Sequence, residues 1–304
     1  MPELPEVETM RRNIATALTG DLVASVDVRL PKLLRESPLP TLEPLVGLHV
    51  LGADRRAKVL LARFDGGLTL ALHCKLAGQV AVFRADGTRL VAGHPVPDPA
   101  GPYPHKATHV EIRFASGAVL YYSDIRQFGW LRLIPDGAVP AFIDAFGFGP
   151  EAVGAGAISL EALAGALARR RIAIKTALLD QRVLAGLGNI YVDEALHVAG
   201  IHPSTPANQV GPDAMSRLYA GITWALEEGI AQGGAKIVHH KAYPVNGFPR
   251  VHARLGERCM ACGAALIKVR VGQRGTYLCQ VCQPLPDGVT PPPAAAASDD
   301  DGED

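Results

Sequence analysis

Cys259-Met260-Ala261-Cys262 and Cys279-Gln280-Val281-Cys282 are separated by residues 263–278, within the spacing of a four-thiolate zinc ribbon. Each Cys-x-x-Cys places two thiolates on one side of a tight knuckle, and two knuckles complete a tetrahedron around a single structural Zn2+. A segment with little core of its own can fold around such a metal. The competing readings are disulfides, which a chain without an export signal disfavours, and a redox Cys-x-x-Cys, which does not explain a matched pair. Between the knuckles, residues 266–271 and 276–278 flank Gly272-Gln273-Arg274-Gly275, which predicts a hairpin with an arginine at its tip. That arginine can reach a phosphate or simply be solvated. Cys74, the fifth cysteine, lies in an apolar strand context and reads as a buried thiol.

Outward from the ribbon, the periodicity changes twice. Residues 160–170, 174–180, 190–199 and 213–232 carry helical spacing, the last after Pro212. Residues 22–134 instead hold short apolar runs at 22–28, 46–51, 59–64, 68–73, 80–83, 109–114, 119–123 and 130–134. Turn signals such as Asp65-Gly66-Gly67 separate them. This pattern predicts an antiparallel sandwich or barrel. Ahead of it, Val7, Met10, Ile14 and Leu18 mark one face of a leading helix that stops at Gly20. The expected architecture is α+β and multidomain: a β-sandwich with a leading helix over 1–134, a linker over 135–157, a helical domain over 158–248 and a zinc finger over 249–286. A disordered tail over 287–304 is expected to follow, because its prolines, alanines and acids bury nothing.

Among the 304 residues, 30 Lys and Arg balance 30 Asp and Glu. Asp299, Asp300, Asp301, Glu303 and Asp304 account for five of the acids, so residues 1–298 carry 30 basic and 25 acidic groups, a net of plus five. A mildly basic body with clusters such as Arg55-Arg56-Ala57-Lys58 and Arg169-Arg170-Arg171 permits binding to phosphate backbones. No apolar stretch is of spanning length and the charged start is no signal peptide, so a cytoplasmic location is expected.

The chain opens Met1-Pro2-Glu3-Leu4-Pro5-Glu6. Removal of Met1 leaves a secondary amine beside a carboxylate, and an α-amino group, with a pKa of roughly 7.7 to 8, is partly unprotonated near neutral pH. Alone, this start reads more readily as an exposed terminus before a proline-initiated helix.

Taken in order, Pro2-Glu3-Leu4-Pro5-Glu6, Arg55-Arg56-Ala57-Lys58, Asp124-Ile125-Arg126-Gln127-Phe128-Gly129, Gly186-Leu187-Gly188-Asn189-Ile190-Tyr191 and the four-cysteine ribbon resemble the formamidopyrimidine-DNA glycosylase and endonuclease VIII family of base-excision repair enzymes. The resemblance covers residues 1 to about 286. It implies a β-sandwich, a helix-two-turn-helix domain and a zinc finger, acting as a monomer on double-stranded DNA with damaged bases or abasic sites.

It also implies roles. Pro2 attacks C1′ of the damaged nucleoside and forms an iminium. Glu3 protonates the sugar ring oxygen, which needs a carboxyl kept protonated by burial against the substrate. Lys58 holds a phosphate and donates a proton in β-elimination, and Arg274 serves δ-elimination. An enzyme that extrudes a base must brace the gap, and Leu76, Arg126 and Phe128 match the wedge residues. Asn189 matches a phosphate ligand, and Arg171, Lys175 and His109 lie where the family has basic contacts to DNA. Cys259, Cys262, Cys279 and Cys282 match the zinc ligands.

Three residues and one loop depart from the formamidopyrimidine-type pattern. Leu76 stands where many members have methionine, Lys75 replaces a common glycine, and Gln127 replaces an arginine. The loop after Gly233-Gly234, which covers an oxidised purine in some members, is short. The implied activity is removal of formamidopyrimidines and 8-oxoguanine followed by β,δ-elimination. Oxidised pyrimidines are the alternative substrate, because Lys75-Leu76 is similar to the wedge loop of the endonuclease VIII enzymes that prefer them, and a non-catalytic binder of damaged or abasic DNA is the alternative of another class.

Overall fold

The computed structural model describes residues 2–295. The chain divides into two compact units, with the change between Phe146 and Gly147. No helix among the described residues is long and apolar enough to cross a membrane.

The first unit starts with α1 (Leu4–Leu18), whose N-terminus is closed by a reciprocal capping box. Glu3 accepts from the Glu6 amide, and Glu6 Oε2 accepts from the Glu3 amide at 2.9 Å. Nine antiparallel strands follow: β1 (Val23–Val28), β2 (Val50–Arg56), β3 (Val59–Phe64), β4 (Leu68–His73), β5 (Gly78–Phe83), β6 (Arg89–Gly93), β7 (Thr108–Phe114), β8 (Val119–Asp124) and β9 (Trp130–Pro135). They form a five-stranded sheet in the order β1-β7-β8-β5-β6 and a four-stranded sheet in the order β2-β3-β4-β9. One apolar cluster joins both sheets to α1, with Leu60, Leu72, Val80, Val82, Val110 and Ile112 among its members. The alternation read from the sequence therefore resolves into two facing sheets, each with one face on a shared core.

Three local expectations differ from what folds. Residues 46–48 alternate like a strand, but Gly47 has φ +84° and this stretch is a turn, so β2 begins at Val50 and runs into the basic Arg55-Arg56. β6 has a run of only three apolar residues, Leu90, Val91 and Ala92, which does not mark a strand in the sequence. The linker expected over 135–157 holds a short helix, α2 (Val139–Asp144), started by Pro140.

The second unit contains α3 (Leu160–Leu167), α4 (Ile174–Leu179), α5 (Asn189–Ala199) and α6 (Pro212–Ala231), then the small hairpins β10–β11 (Ile237–Val238, Lys241–Ala242) and β12–β13 (Ile267–Val271, Arg274–Leu278). The helical segment and the cysteine segment, read separately in the sequence, belong to one unit. The physical reason lies in α5. Its fully buried Glu194 accepts from the amides of Arg250, Val251 and His252, between 2.6 and 2.9 Å, and so stitches the start of the zinc segment to the helix. Burial pushes the Glu194 carboxyl up, and these amides draw it back down.

Disorder was expected from residue 287. Instead, the segment at 293–295 runs antiparallel to β12, with the Arg270 amide donating to the Pro293 carbonyl at 2.9 Å and the Ala295 amide to the Lys268 carbonyl at 3.1 Å. A hairpin edge offers free backbone donors and acceptors, and this segment satisfies them. The acidic end of the expected tail lies outside the described residues.

Candidate functional site

In the first unit the strand register gathers the chemistry at one end of the sandwich. Val59 pairs with His73, and His73 with Trp130, while in the other sheet Gly78 pairs with Asp124. The β2–β3 turn at Ala57-Lys58, the link Cys74–Ala77 and the loop Ile125–Gly129 therefore lie together. α1 is aligned antiparallel to β2, since Gly20 donates to the Val50 carbonyl, Arg11 to the Ala53 carbonyl, and Glu8 pairs with Arg55 at 3.5 Å. Its N-terminus, with Pro2 and Glu3, thus points to the same end. Both residues are buried, Glu3 to 1 % exposure.

Backbone geometry sets each tip. Ala57 has φ +52°, which lets β2 reverse into β3 in two residues, and Arg55 Nη1 holds the Ala57 carbonyl at 2.7 Å. Lys58 is buried, 8 % exposed. Lys75 takes φ +50°, held by its amide donating to His73 Nδ1 at 2.9 Å. His73 stacks on Trp130, and burial first, then the charges of Lys75 and Lys58, push its pKa down to about 3. The ring is thus a neutral acceptor, as that turn requires. Leu76 is half-buried and follows directly.

The Ile125–Gly129 loop is organised by one fully buried carboxylate. Asp124 Oδ1 accepts from the Arg126 and Gln127 amides, each at 3.0 Å, and Oδ2 accepts from the Gly129 amide at 2.8 Å. A Cβ on Gly129 would overlap the Tyr122 hydroxyl and crowd Asp124, so only glycine fits there. Held this way, Phe128 stands 50 % exposed, with the Arg126 guanidinium 5.4 Å from its ring centroid. Phe128 is not a core residue. His109, expected as a DNA contact, is buried, 7 % exposed, with Nε2 donating to the Asp124 carbonyl at 2.9 Å, so here it supports the loop.

In the second unit, Gln181 braces the turn before α5, accepting from the Gly186 amide at 2.9 Å and donating to the Leu187 carbonyl at 2.8 Å. Asn189 then opens α5, and its Nδ2 donates to the Gly275 carbonyl at 3.0 Å. Arg274 is the first residue of β13, half-exposed, after a two-residue turn in which Gly272 and Gln273 both have positive φ. Arg171 is exposed. Lys175 corrects the expectation of a surface contact: it is fully buried, its ammonium paired with Asp193 Oδ1 at 2.7 Å. The sequence marks Asp193 and Glu194 only as two adjacent acids in the middle of a largely apolar helix.

The four cysteine sulfurs lie within 4.8 Å of one another, with Cys259–Cys282 at 3.8 Å and Cys262–Cys279 at 3.4 Å. A tetrahedral site with zinc–sulfur bonds of about 2.3 Å needs sulfurs about 3.8 Å apart. The donor set and spacing fit one structural Zn2+. His197 Nε2 lies 3.4 Å from Cys259 Sγ, suited to donating to a thiolate, and burial, then Arg250 and Arg254, hold the ring's pKa down to about 4.

Three family models match this chain: the formamidopyrimidine-DNA glycosylase N-terminal domain at residues 1–131, its H2TH domain at 148–241, and a zinc finger shared with isoleucyl-tRNA synthetase at 256–285. A formamidopyrimidine-DNA glycosylase of Methylorubrum extorquens is 38 % identical, covering 94 % of this chain and 99 % of its own. One from a Roseiflexus species is 37 % identical over 93 % and 100 %. Among solved structures, Lactococcus lactis Fpg bound to DNA containing an abasic site has a TM-score of 0.81 at 30 % identity, and the complex with N7-benzyl-Fapy-dG DNA has 0.80 at 31 %. Each covers 93 % of this chain and 100 % of its own. The chain belongs to the formamidopyrimidine-DNA glycosylase family.

Proposed function

We propose that this protein is a base-excision DNA glycosylase with abasic-site lyase activity, removing oxidised purines such as formamidopyrimidines and 8-oxoguanine from duplex DNA. The convergence of Pro2 and Glu3 with Lys58, Leu76 and the Arg126–Phe128 loop at one end of the sandwich carries this reading. The relatives' shared name and the Lactococcus complexes with damaged DNA support the substrate class.

Once Met1 is removed, the Pro2 nitrogen pair bonds to C1′ as the C1′–base bond breaks and the base leaves with its electrons; the nitrogen then sheds its proton, matching the one that the departing base takes up. Glu3 gives a proton to O4′, the C1′–O4′ bond opens, and the secondary amine becomes an iminium that is necessarily cationic. This electron sink lets C2′ lose a proton as the 3′ phosphate departs, with Lys58 gripping the neighbouring phosphate and supplying a proton. A second elimination, served by Arg274, releases the 5′ phosphate. Leu76 and Phe128 fill the vacated stack and Arg126 faces the orphaned base. Asn189 and Arg171 take backbone phosphates. The zinc holds the fold of the segment bearing Arg274. On this reading the protein works as a monomer in the cytoplasm, on the nucleoid when bound to DNA.

Borohydride trapping on abasic duplex DNA, followed by peptide mass analysis, tests the chemistry. An adduct on Pro2 is expected, and no adduct from protein lacking Met1 would refute the mechanism. On duplexes bearing single lesions, 8-oxoguanine should be released faster than an oxidised pyrimidine; the reverse order selects the pyrimidine reading.

A further inference from the structure

The backbone beside Arg274 is held by charges that the chemistry above does not use. The Gly275 carbonyl receives two donors, Lys175 Nζ and Asn189 Nδ2, each at 3.0 Å. The Lys175 ammonium is paired with Asp193 Oδ1, and both side chains are fully buried. Asp193 Oδ2 in turn accepts from the Tyr277 amide at 3.0 Å and meets His252 Nδ1 at 2.8 Å. At the hairpin tip, Gly272 lies so close to the Thr176 hydroxyl that a Cβ would overlap it. The hairpin tip and β13 are thus docked on α4 and α5 through residues 272, 275 and 277.

A buried ammonium–carboxylate pair loses solvation that an apolar pair of equal volume would not, so stability alone is a poor reason for it. What it supplies is direction: charge-assisted hydrogen bonds of fixed geometry to chosen backbone atoms. The carbonyl it grips is the one that also orients the Asn189 amide, so two groups aimed at DNA share a single anchor.

We propose that Lys175 and Asp193 are positioning residues, which set the place of Arg274 and the orientation of Asn189 by fixing the Gly275 carbonyl and the Tyr277 amide. The proposal rests on the role given to Arg274 in δ-elimination.

The test compares zinc-loaded K175M, D193N, the double variant K175M/D193N and R274A on abasic duplex DNA. The readouts are the ratio of δ- to β-elimination product, normalised to trapped adduct, and the melting temperature. Either single variant breaks the buried ammonium–carboxylate pair, leaving one of its two charges without the other although Asp193 keeps His252 Nδ1, and should melt lower. The double variant leaves neither, and should recover melting temperature while its δ-to-β ratio stays well below wild type, by up to roughly a hundredfold, the scale of a catalytic group misplaced by about 1 Å. A purely structural role predicts that stability and ratio recover together. A wild-type ratio in the double variant, with R274A lowering it, overturns the proposal. If R274A itself keeps the wild-type ratio, the role of Arg274 is what fails, and the positioning role falls with it. Should a single variant not fold, the charge-neutral double variant decides the matter.

Discussion

The two units hold their functional residues by different means. In the first, the tips that carry Lys58, Leu76 and Phe128 are fixed by backbone geometry, with positive φ at Ala57, Lys75 and Gln127 and one buried acid, Asp124, collecting loop amides. A shared apolar core of two sheets and a helix lies beneath them. In the second, the Arg274 hairpin rests on a much smaller apolar cluster that includes Cys259 and Cys279, and depends on a metal and buried charges. A large core tolerates local strain at its rim. A small one needs strong, directed bonds to place even one side chain.

Zinc removal should separate the two most. A structural site of this kind contributes an apparent 10 kcal/mol or so at neutral pH. Chelation is expected to abolish the β12–β13 amide protection and most DNA affinity while leaving the sandwich amides protected, read by hydrogen exchange; equal loss in both units would erase the contrast. Next in size is Asp124→Ala, which strips the acceptor from three loop amides and should destabilise the first unit by about 3 kcal/mol in denaturant melts. A change within error would show that the backbone strain holds the loop without it.

Acid should act through His73. Its folded-state value of about 3 lies below the ordinary 6.5, so between these values the unfolded chain binds the extra proton. The stability it contributes is complete above the unfolded value and lost as pH falls from there toward about 3. His73→Gln should flatten the fall in melting temperature over that window relative to wild type, with both proteins carrying the same cysteines; parallel curves would remove the histidine from the account. The smallest effect on stability belongs to Phe128→Ala, within about 0.5 kcal/mol because the ring is half exposed. Affinity for abasic duplex should nevertheless drop by about 1–3 kcal/mol, the worth of one stacked ring. A large loss of stability would return Phe128 to the core.

What was legible in the sequence follows the same division. Metal spacing, strand alternation and helical period are local, so the ribbon, the sandwich strands and the α4–α6 periodicity could be read directly. Burial of charge is not local. Lys175 looked like one more basic residue near Arg171, since nothing in Ile174-Lys175-Thr176 reveals that Asp193 waits on another helix. The support that His109 gives the loop was hidden for the same reason, because its partner is a backbone carbonyl on a neighbouring strand. Residues 46–48 misled through alternation that a left-handed glycine interrupts.

The short segment laid along β12 has a consequence for behaviour in concentrated solution. A two-stranded hairpin presents an open edge, the kind of template on which one chain recruits another into an extended sheet. Here Pro293 and Ala295 close that edge from within the same molecule. Pro291, Pro292 and Pro293 lack amide hydrogens, so the closing segment is itself a poor template for the next strand. Shortening the chain before residue 291 is expected to leave the sandwich untouched and to make the protein self-associate, visible as a rise in light scattering with concentration.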